Sequence, residues 1–535
     1  AVAMVALIAA VNVANLLLAR GASQEREFAV RTALGARPRD LIGFAFVESL
    51  LLALAGGAAG LLVAWGGTRV LDVLRPPELE YLGSASVDVA VLGFTLALSV
   101  VSGLLFGLAP AIQAARATNV HGTLKTGGRG QTIGRKGWRV RGGLVAAELA
   151  LAIILLTGAG LLLRSFQNLQ RVDMGFDAQD VLTYQLSLPD ARYPKAANVE
   201  LFYQSLLARM RSIPGVRSAA AISGLPLDGY GYSISTHSLD GTEIEASAQP
   251  STQVRFVTPG VFATLGISVI EGRDITEADR DGAPNVVVMS AGAAKLLFGD
   301  KDPLGHSLTI STTFGDGRGR LGGEVVGVVK DVHDVSPGTP SRPTIYLSHA
   351  QFPAGDMAVV ARTPAGNDPL ALAQAARAQV RELDRDLPMT GVRTMSAVER
   401  GSIAQSRFAM LLLGCFAVVA LSLAAVGVFG VMSFMVAQRT REIGVRIALG
   451  ASAGKVVAET MRRCVPPVAA GVLVGVGGAL MIVRTMTSLL FDVRPQDPAL
   501  LTVVAAGLAL VAFASAWLPA RRASHVDPVL TLRDE

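Results

Sequence analysis

The chain has 535 residues, of which 51% are apolar and 17% charged, and a mean hydropathy of +0.46, whereas ordinary soluble domains are near a quarter charged. Its apolar residues fall in blocks of about twenty, each able to cross a hydrocarbon core of roughly 30 Å, so a purely cytosolic enzyme is excluded. The net charge of +6 sits in basic residues at the edges of these blocks, with no aromatic stacking platform, which excludes nucleic acid as the partner and leaves the lipid bilayer.

In chain order, seven membrane spans are expected, at residues 1–19, 42–66, 89–113, 143–163, 407–436, 465–486 and 499–519. The chain starts inside an apolar run, with neither an initiator Met nor a basic leader, and is expected to be a fragment. Arg20, Arg26, Arg31, Arg37 and Arg39 crowd one loop, and Lys125, Arg129, Arg135 and Lys136 a second. Arg521, Arg522 and Arg533 lie in the tail. Positive loops stay in the cytoplasm, so by alternation residues 164–406 are extracytoplasmic. Cys415 and Cys464 both lie in apolar stretches and build neither a disulfide framework nor a zinc site.

Self-comparison gives the organisation. Arg26–Ala36, REFAVRTALGA, recurs as Arg441–Ala451, REIGVRIALGA. Each copy follows a span and precedes an amphipathic stretch, a Gly-rich span, an outer loop and a third span. Each unit ends alike, Pro110, Arg116 and Ala117 answering Pro519, Arg522 and Ala523. The expected domains are therefore a first three-helix unit at 1–120, a basic cytoplasmic linker at 121–142, a span at 143–163, an outer domain at 164–406 and a second three-helix unit at 407–535. A complete repeat would add one helix and one outer domain upstream.

The pairs Gly56/Gly60, Gly103/Gly107 and Gly471/Gly475 have the small-xxx-small spacing that lets helices approach closely. Ionisable residues deep in the spans are nearly absent, Glu48 and Glu148 being placed near the cytoplasmic ends of their helices, which argues against ion-coupled transport.

Residues 164–406 read as mixed α and β. Strands are expected at 181–188, 216–222, 252–257, 285–289, 323–330, 344–348 and 357–361, with helices at 197–212 and 369–383 and a βαβ-like start. Asp331, His333 and Asp334 are hard-ligand types in close sequence, but such a trio on a loop is ordinarily solvated, and no metal site is assigned. No catalytic constellation stands out.

Gly450–Val456, GASAGKV, resembles a phosphate loop with one residue too few and no Ser or Thr after Lys455. It reads as a helix turn, so the chain is expected to bind no cofactor directly and not to hydrolyse ATP by itself. Within each repeated segment Glu27 and Arg31, or Glu442 and Arg446, are four apart and share a helix face, where they pair with each other or face a partner. Two such copies suit a two-fold symmetric partner.

At these residues the sequence resembles the permease subunits of the MacB/FtsX family of ABC transporters. The duplicated arrangement is similar to the acidobacterial-type duplicated, or orphan, permeases. Further matches are GLLLRSF at Gly160–Phe166, GFDAQDVL at Gly175–Leu182, VTPGVFATLGI at Val257–Ile267, EGRD at Glu271–Asp274 and DPLG at Asp302–Gly305. The resemblance implies an outer domain like the MacB periplasmic core domain and a location in the bacterial inner membrane. It also implies a separate ABC ATPase dimer that uses ATP while docked on Arg26, Glu27, Arg31, Gly35, Arg441, Glu442, Arg446 and Gly450. Its closure would move the outer domain, for export of a cargo the residues do not specify, with a periplasmic adaptor as a further partner. The alternative is a transmembrane regulator that controls a cell-wall hydrolase or senses a peptide.

Overall fold

The computed structural model describes residues 2–15, 31, 37–74, 88–97, 100–101, 135–229, 231–311, 320–437, 452–485, 490–493 and 497–523. The chain divides into two compact units, Ala1–Asn168 with Ser406–Glu535, and Leu169–Gln405.

The first unit opens with helices that include α1 (Val2–Asn15), α2 (Pro38–Leu74) and α3 (Arg135–Leu169). Helix α2 starts at Pro38, whose fixed φ and missing N–H suit a first turn. The amphipathic stretch expected before the second span is therefore the opening of the same helix. Of the expected third span, residues 89–97 and 100–101 are helical and the remainder lies outside the described residues.

The second unit is a 12-stranded sheet with helices. Its elements are β1 (Val181–Ser187), α4 (Ala196–Arg211), β2 (Ser218–Ile222), β3 (Tyr232–Leu239), β4 (Thr242–Glu243), β5 (Ser251–Val257), α5 (Val261–Leu265) and β6 (Val269–Gly272). There follow β7 (Val286–Ser290), α6 (Ala291–Phe298), β8 (Ser307–Ser311), β9 (Arg320–Val329), β10 (Thr344–Ser348), β11 (Asp356–Arg362), α7 (Ala373–Leu383), β12 (Thr390–Thr394) and α8 (Met395–Ser402).

The strand order is β12-β1-β11-β2-β5-β10-β7-β9-β8-β3-β4, and β6 pairs with β9. The expected βαβ start is split: β11 lies between β1 and β2 and is antiparallel to both. With β12 this makes a split-βαβ half in which α4 and α7 pack together. The strands inserted between β2 and β11 close on themselves, because β3 pairs with β5 as well as with β8. Strand β11 is buried on both faces. Met357, Val359 and Ala361 enter one core with Tyr203, Leu206 and Val380, while Ala358 and Val360 enter another with Val181, Phe262 and Tyr346. A strand covered on both sides reads as an unbroken apolar run, which is how it appeared in the sequence.

The chain returns to the first unit through α9 (Ala404–Ala437), α10 (Ala453–Thr485) and α11 (Pro498–Ala523). Among the described residues, five helices are long and apolar enough to cross a membrane: Ile42–Val73, Gly142–Leu169, Ala404–Phe434, Gly454–Thr485 and Pro498–Arg522. Helix α10 runs through Pro466 and Pro467, where the sequence placed the start of a span. Proline removes a backbone hydrogen bond there, a loss that membrane helices absorb through neighbouring groups. Leu62, Val63, Leu473, Met481, Val503 and Leu510 are exposed, as lipid-facing side chains are.

Candidate coupling segments and the membrane core

Of the eight residues expected to face an ATPase, Arg26, Glu27, Gly35, Arg441, Glu442, Arg446 and Gly450 lie outside the described residues. Arg31 is described. It is helical and half-buried, and its guanidinium stands 4.7 Å from the centre of the Phe44 ring of α2. This cation–π contact ties the first repeated segment to the helix that follows it. No periodicity in the sequence signals it, since Pro38, where α2 begins, stands between the two residues. In the second copy, the end of GASAGKV is the first turn of α10, where the Ser452 carbonyl accepts from Lys455 N at 3.0 Å.

The small residues behave unequally. A Cβ on Gly471 would stand 2.8 Å from the Ala146 carbonyl and 2.9 Å from Leu149 Cβ, and one on Gly475 would stand 2.9 Å from Ala150 Cα and Ile153 Cβ. Helices α3 and α10 thus touch backbone to backbone through this pair. A Cβ on Gly56 or Gly60 would meet nothing within 4 Å, so neither takes part in a described helix contact, and Gly103 and Gly107 lie outside the described residues. Gly475→Leu is expected to destabilise the membrane unit by about 1–3 kcal/mol through overpacking, and Gly56→Leu to change little. Thermal unfolding of both variants in nanodiscs checks the contrast.

Glu148 falls within the first two turns of the apolar span that begins at Gly142, and it is fully buried there, in a core that includes Ile8 of α1 and Ala424 and Val428 of α9. Asn12 and Asn15 of α1 are buried as well.

In the outer unit the trio Asp331, His333 and Asp334 is not a solvated loop cluster. Asp331 accepts from Gly292 N at 2.8 Å, His333 Nδ1 donates to the Thr339 carbonyl at 2.9 Å, and Asp334 accepts from Arg255 at 2.5 Å. The three side chains serve three different partners, and among the described residues no group of acids, histidines and cysteines could hold a metal. The Arg255–Asp334 pair is buried, with side chains 2% and 6% exposed. The pairing leaves no local signal, because Arg255 is 79 residues away from Asp334 in sequence.

The motifs that carry the family resemblance are structural. Gly175 has φ +79°, and a Cβ there would collide with the Asp331 carbonyl. Asp177, two residues on, accepts from Gln179 N at 3.0 Å and from Arg362 at 2.8 Å. In EGRD, Arg273 grips Asp279 through both guanidinium nitrogens at 2.7 and 2.9 Å, and hydrogen bonding to Arg273 and Thr276 holds the Asp279 carboxyl below the usual range despite its burial. Gly272, at φ +72°, lets that turn lie against Gly327.

Two family models divide the chain along these lines. The FtsX-like permease C-terminal model matches twice, at residues 1–118 and 414–528, and the MacB-like periplasmic core domain model matches residues 144–379. The chain belongs to the MacB/FtsX family of ABC transporter permeases. This permease is similar to the macrolide export ATP-binding/permease protein MacB of Marinobacter nauticus, with 28% identity over 281 residues, 50% of this chain and 41% of that protein. It is also similar to the pyoverdine export ATP-binding/permease protein PvdT of Pseudomonas aeruginosa, with 28% identity over 51% of this chain and 40% of that protein. The permease thus matches about four-tenths of the length of these relatives. Among solved structures, the periplasmic region of MacB from Actinobacillus actinomycetemcomitans aligns over 44% of this chain and 96% of its own length, with 13% identity and a TM-score of 0.29.

Proposed function

We propose that the chain is a permease subunit of the duplicated, orphan-permease type, whose two cytoplasmic segments dock a separate ABC ATPase dimer in the bacterial inner membrane. ATP-driven closure of that dimer then moves the helices and the outer domain to extrude a cargo. The observation that supports this reading is the double match to the FtsX-like model on either side of one outer domain, which fits a single chain with two equivalent coupling segments. The relatives' names join ATP-binding and permease functions, and the matched region here is the permease part. In this reading Arg26, Glu27, Arg31 and Gly35, with Arg441, Glu442, Arg446 and Gly450, present alternating charge to the ATPase, and Phe44 steadies Arg31.

The test is co-purification with candidate ATPase subunits and ATP turnover in nanodiscs. Partner-dependent turnover is expected to fall by roughly tenfold or more in the double variant Arg31→Glu with Arg446→Glu, the effect of losing about 1.4 kcal/mol of docking energy. Arg31→Lys, which keeps the charge, is expected to lose much less. Normal turnover in the folded double variant would overturn the docking assignment.

A further inference from the structure

Where α1, α3 and α9 meet, three polar side chains are removed from solvent: Asn12, Asn15 and Glu148 are 5%, 2% and 0% exposed. Asn12 Nδ2 donates to the Leu423 carbonyl of α9 at 2.8 Å, which assigns its amide oxygen to the other side. Among the described residues, that oxygen, both amide atoms of Asn15 and both carboxylate oxygens of Glu148 meet no donor in hydrogen-bond geometry, although the Asn12 amide lies against the Glu148 carboxylate. Asn12 Oδ1 and the two Glu148 oxygens also converge, since a Cβ on Gly427 would overlap all three. Asn12 and Gly427 are the same position of the internal repeat, being as far apart in sequence as Arg26 and Arg441. The cluster therefore sits where equivalent helices of the two copies cross.

Oxygen acceptors packed against one another need a positive species between them, and an ionised carboxylate among apolar side chains is prohibitive without one. Among the described residues, the surrounding helices supply no basic partner. Helix α1 has no charged residue, and Arg407 of α9 is about 30 Å along its helix from Gly427 at 1.5 Å per residue. On α10, Arg463 is held by Glu459 at 3.1 Å, Cys464 lies against Met432, Lys455 and Arg462 belong to the opening turns, and Arg484 lies in the last turn. The basic residues Arg521 and Arg522 of α11 are in its last turn. On α3 itself, Arg164 is paired with Asp497, and Arg141 is two turns before Glu148.

We propose that Asn12, Asn15 and Glu148 form an intramembrane site for one monovalent cation, H⁺ or Na⁺, which neutralises Glu148 and bridges its carboxylate to the Asn12 amide oxygen. Because the residues come from α3 and from α1, packed against the repeat-equivalent position of α9, a loaded site holds the crossing of the two copies together. An emptied site leaves like-signed oxygens facing one another and loosens that crossing. The site does not depend on the identity of any ATPase.

The test uses the full chain in lipid nanodiscs, with N-methylglucamine replacing Na⁺ at constant ionic strength, and reads the heat-unfolding midpoint of wild type and Glu148→Gln. If the cation is Na⁺, adding it raises the wild-type midpoint by several degrees. If it is H⁺, the same rise follows acidification without Na⁺ from about pH 9 to about pH 7, where an ordinary histidine stays mostly neutral. Glu148→Gln, which has no charge to neutralise, is expected to respond to neither. Equal responses of wild type and variant overturn the proposal. Should Glu148→Gln fail to fold, radioactive-sodium binding and the infrared band of a protonated carboxyl are measured on wild type and on Asn12→Ala. Either signal in wild type, weakened in Asn12→Ala, supports the site, and absence of both signals from folded wild type overturns it.

Discussion

Asp334→Ala is expected to destabilise the outer domain by about 3–5 kcal/mol, the range for stranding one charge of a buried pair. Arg255 lies on β5 inside the sheet with its Nε already unpartnered, so its guanidinium would lose the 2.5 Å contact to Asp334 and gain nothing. Asp334 also accepts from Arg342 N at 3.3 Å, and its own carbonyl accepts from Gly229 N, so the pair pins two loops to the sheet. Replacing both partners, as in Arg255→Met with Asp334→Leu, is expected to recover most of the loss, because apolar packing removes two desolvation penalties at once. Hydrogen exchange of the β5 and β10 amides in the full chain reads both variants. An Asp334→Ala chain that protects those amides as well as wild type would contradict this account of the pair.

Acidification is expected to weaken the same domain through His349. Its ring is buried edge-on to Tyr203, with ring centres 5.1 Å apart, and Nε2 donates to the Ala354 carbonyl at 3.1 Å. Burial pushes the imidazole down from 6.5 to about 4. The unfolded chain therefore takes up a proton first as pH falls. Stability is full above about pH 6.5 and declines as pH falls through the window to about 4, where the loss amounts to about 3 kcal/mol. Below that window both states carry the proton and this contribution stops changing. The check is a pH series of exchange rates for β10, the strand that ends just before His349. His349→Gln, which charges in neither state, should flatten the response across the window, and an unchanged slope in that variant would assign the acid sensitivity to other groups.

Legibility in the sequence followed burial. The strand at Thr344–Ser348 was readable to the residue because all five of its side chains are buried, giving an unbroken β-prone run. Strand β3, Tyr232–Leu239, gave no such signal, since serines, a threonine and a histidine alternate with its apolar residues and most of its positions are only partly buried. The fully exposed β6 and the rim strand β12 were silent for the same reason. The β11 crossing that splits the βαβ start joins residues more than a hundred positions apart, and no local pattern encodes it.

The repeated segment was legible because duplication writes the same residues twice, which no propensity argument requires. The partners of individual polar groups were not. Arg31 on Phe44, Asp334 on Arg255 and Glu148 beside Asn12 are tertiary choices between residues whose types fit several environments. For Glu148 a signal was present, in the two asparagines of an otherwise apolar α1, but reading it needed the knowledge that α1 packs on α3.

The central claim is that this permease converts hydrolysis by a separate ATPase into movement of its outer domain. The most direct measurement is the distance distribution between spin labels at Lys195→Cys in the outer unit and Leu473→Cys in α10. It is recorded in a chain carrying Cys415→Ala and Cys464→Ala, bound to its ATPase in nanodiscs. Trapping the ATP-bound state is expected to shift that distribution by several ångströms, and adding Arg31→Glu with Arg446→Glu to abolish the shift. A distribution that stays fixed while the bound ATPase turns over would contradict the coupling.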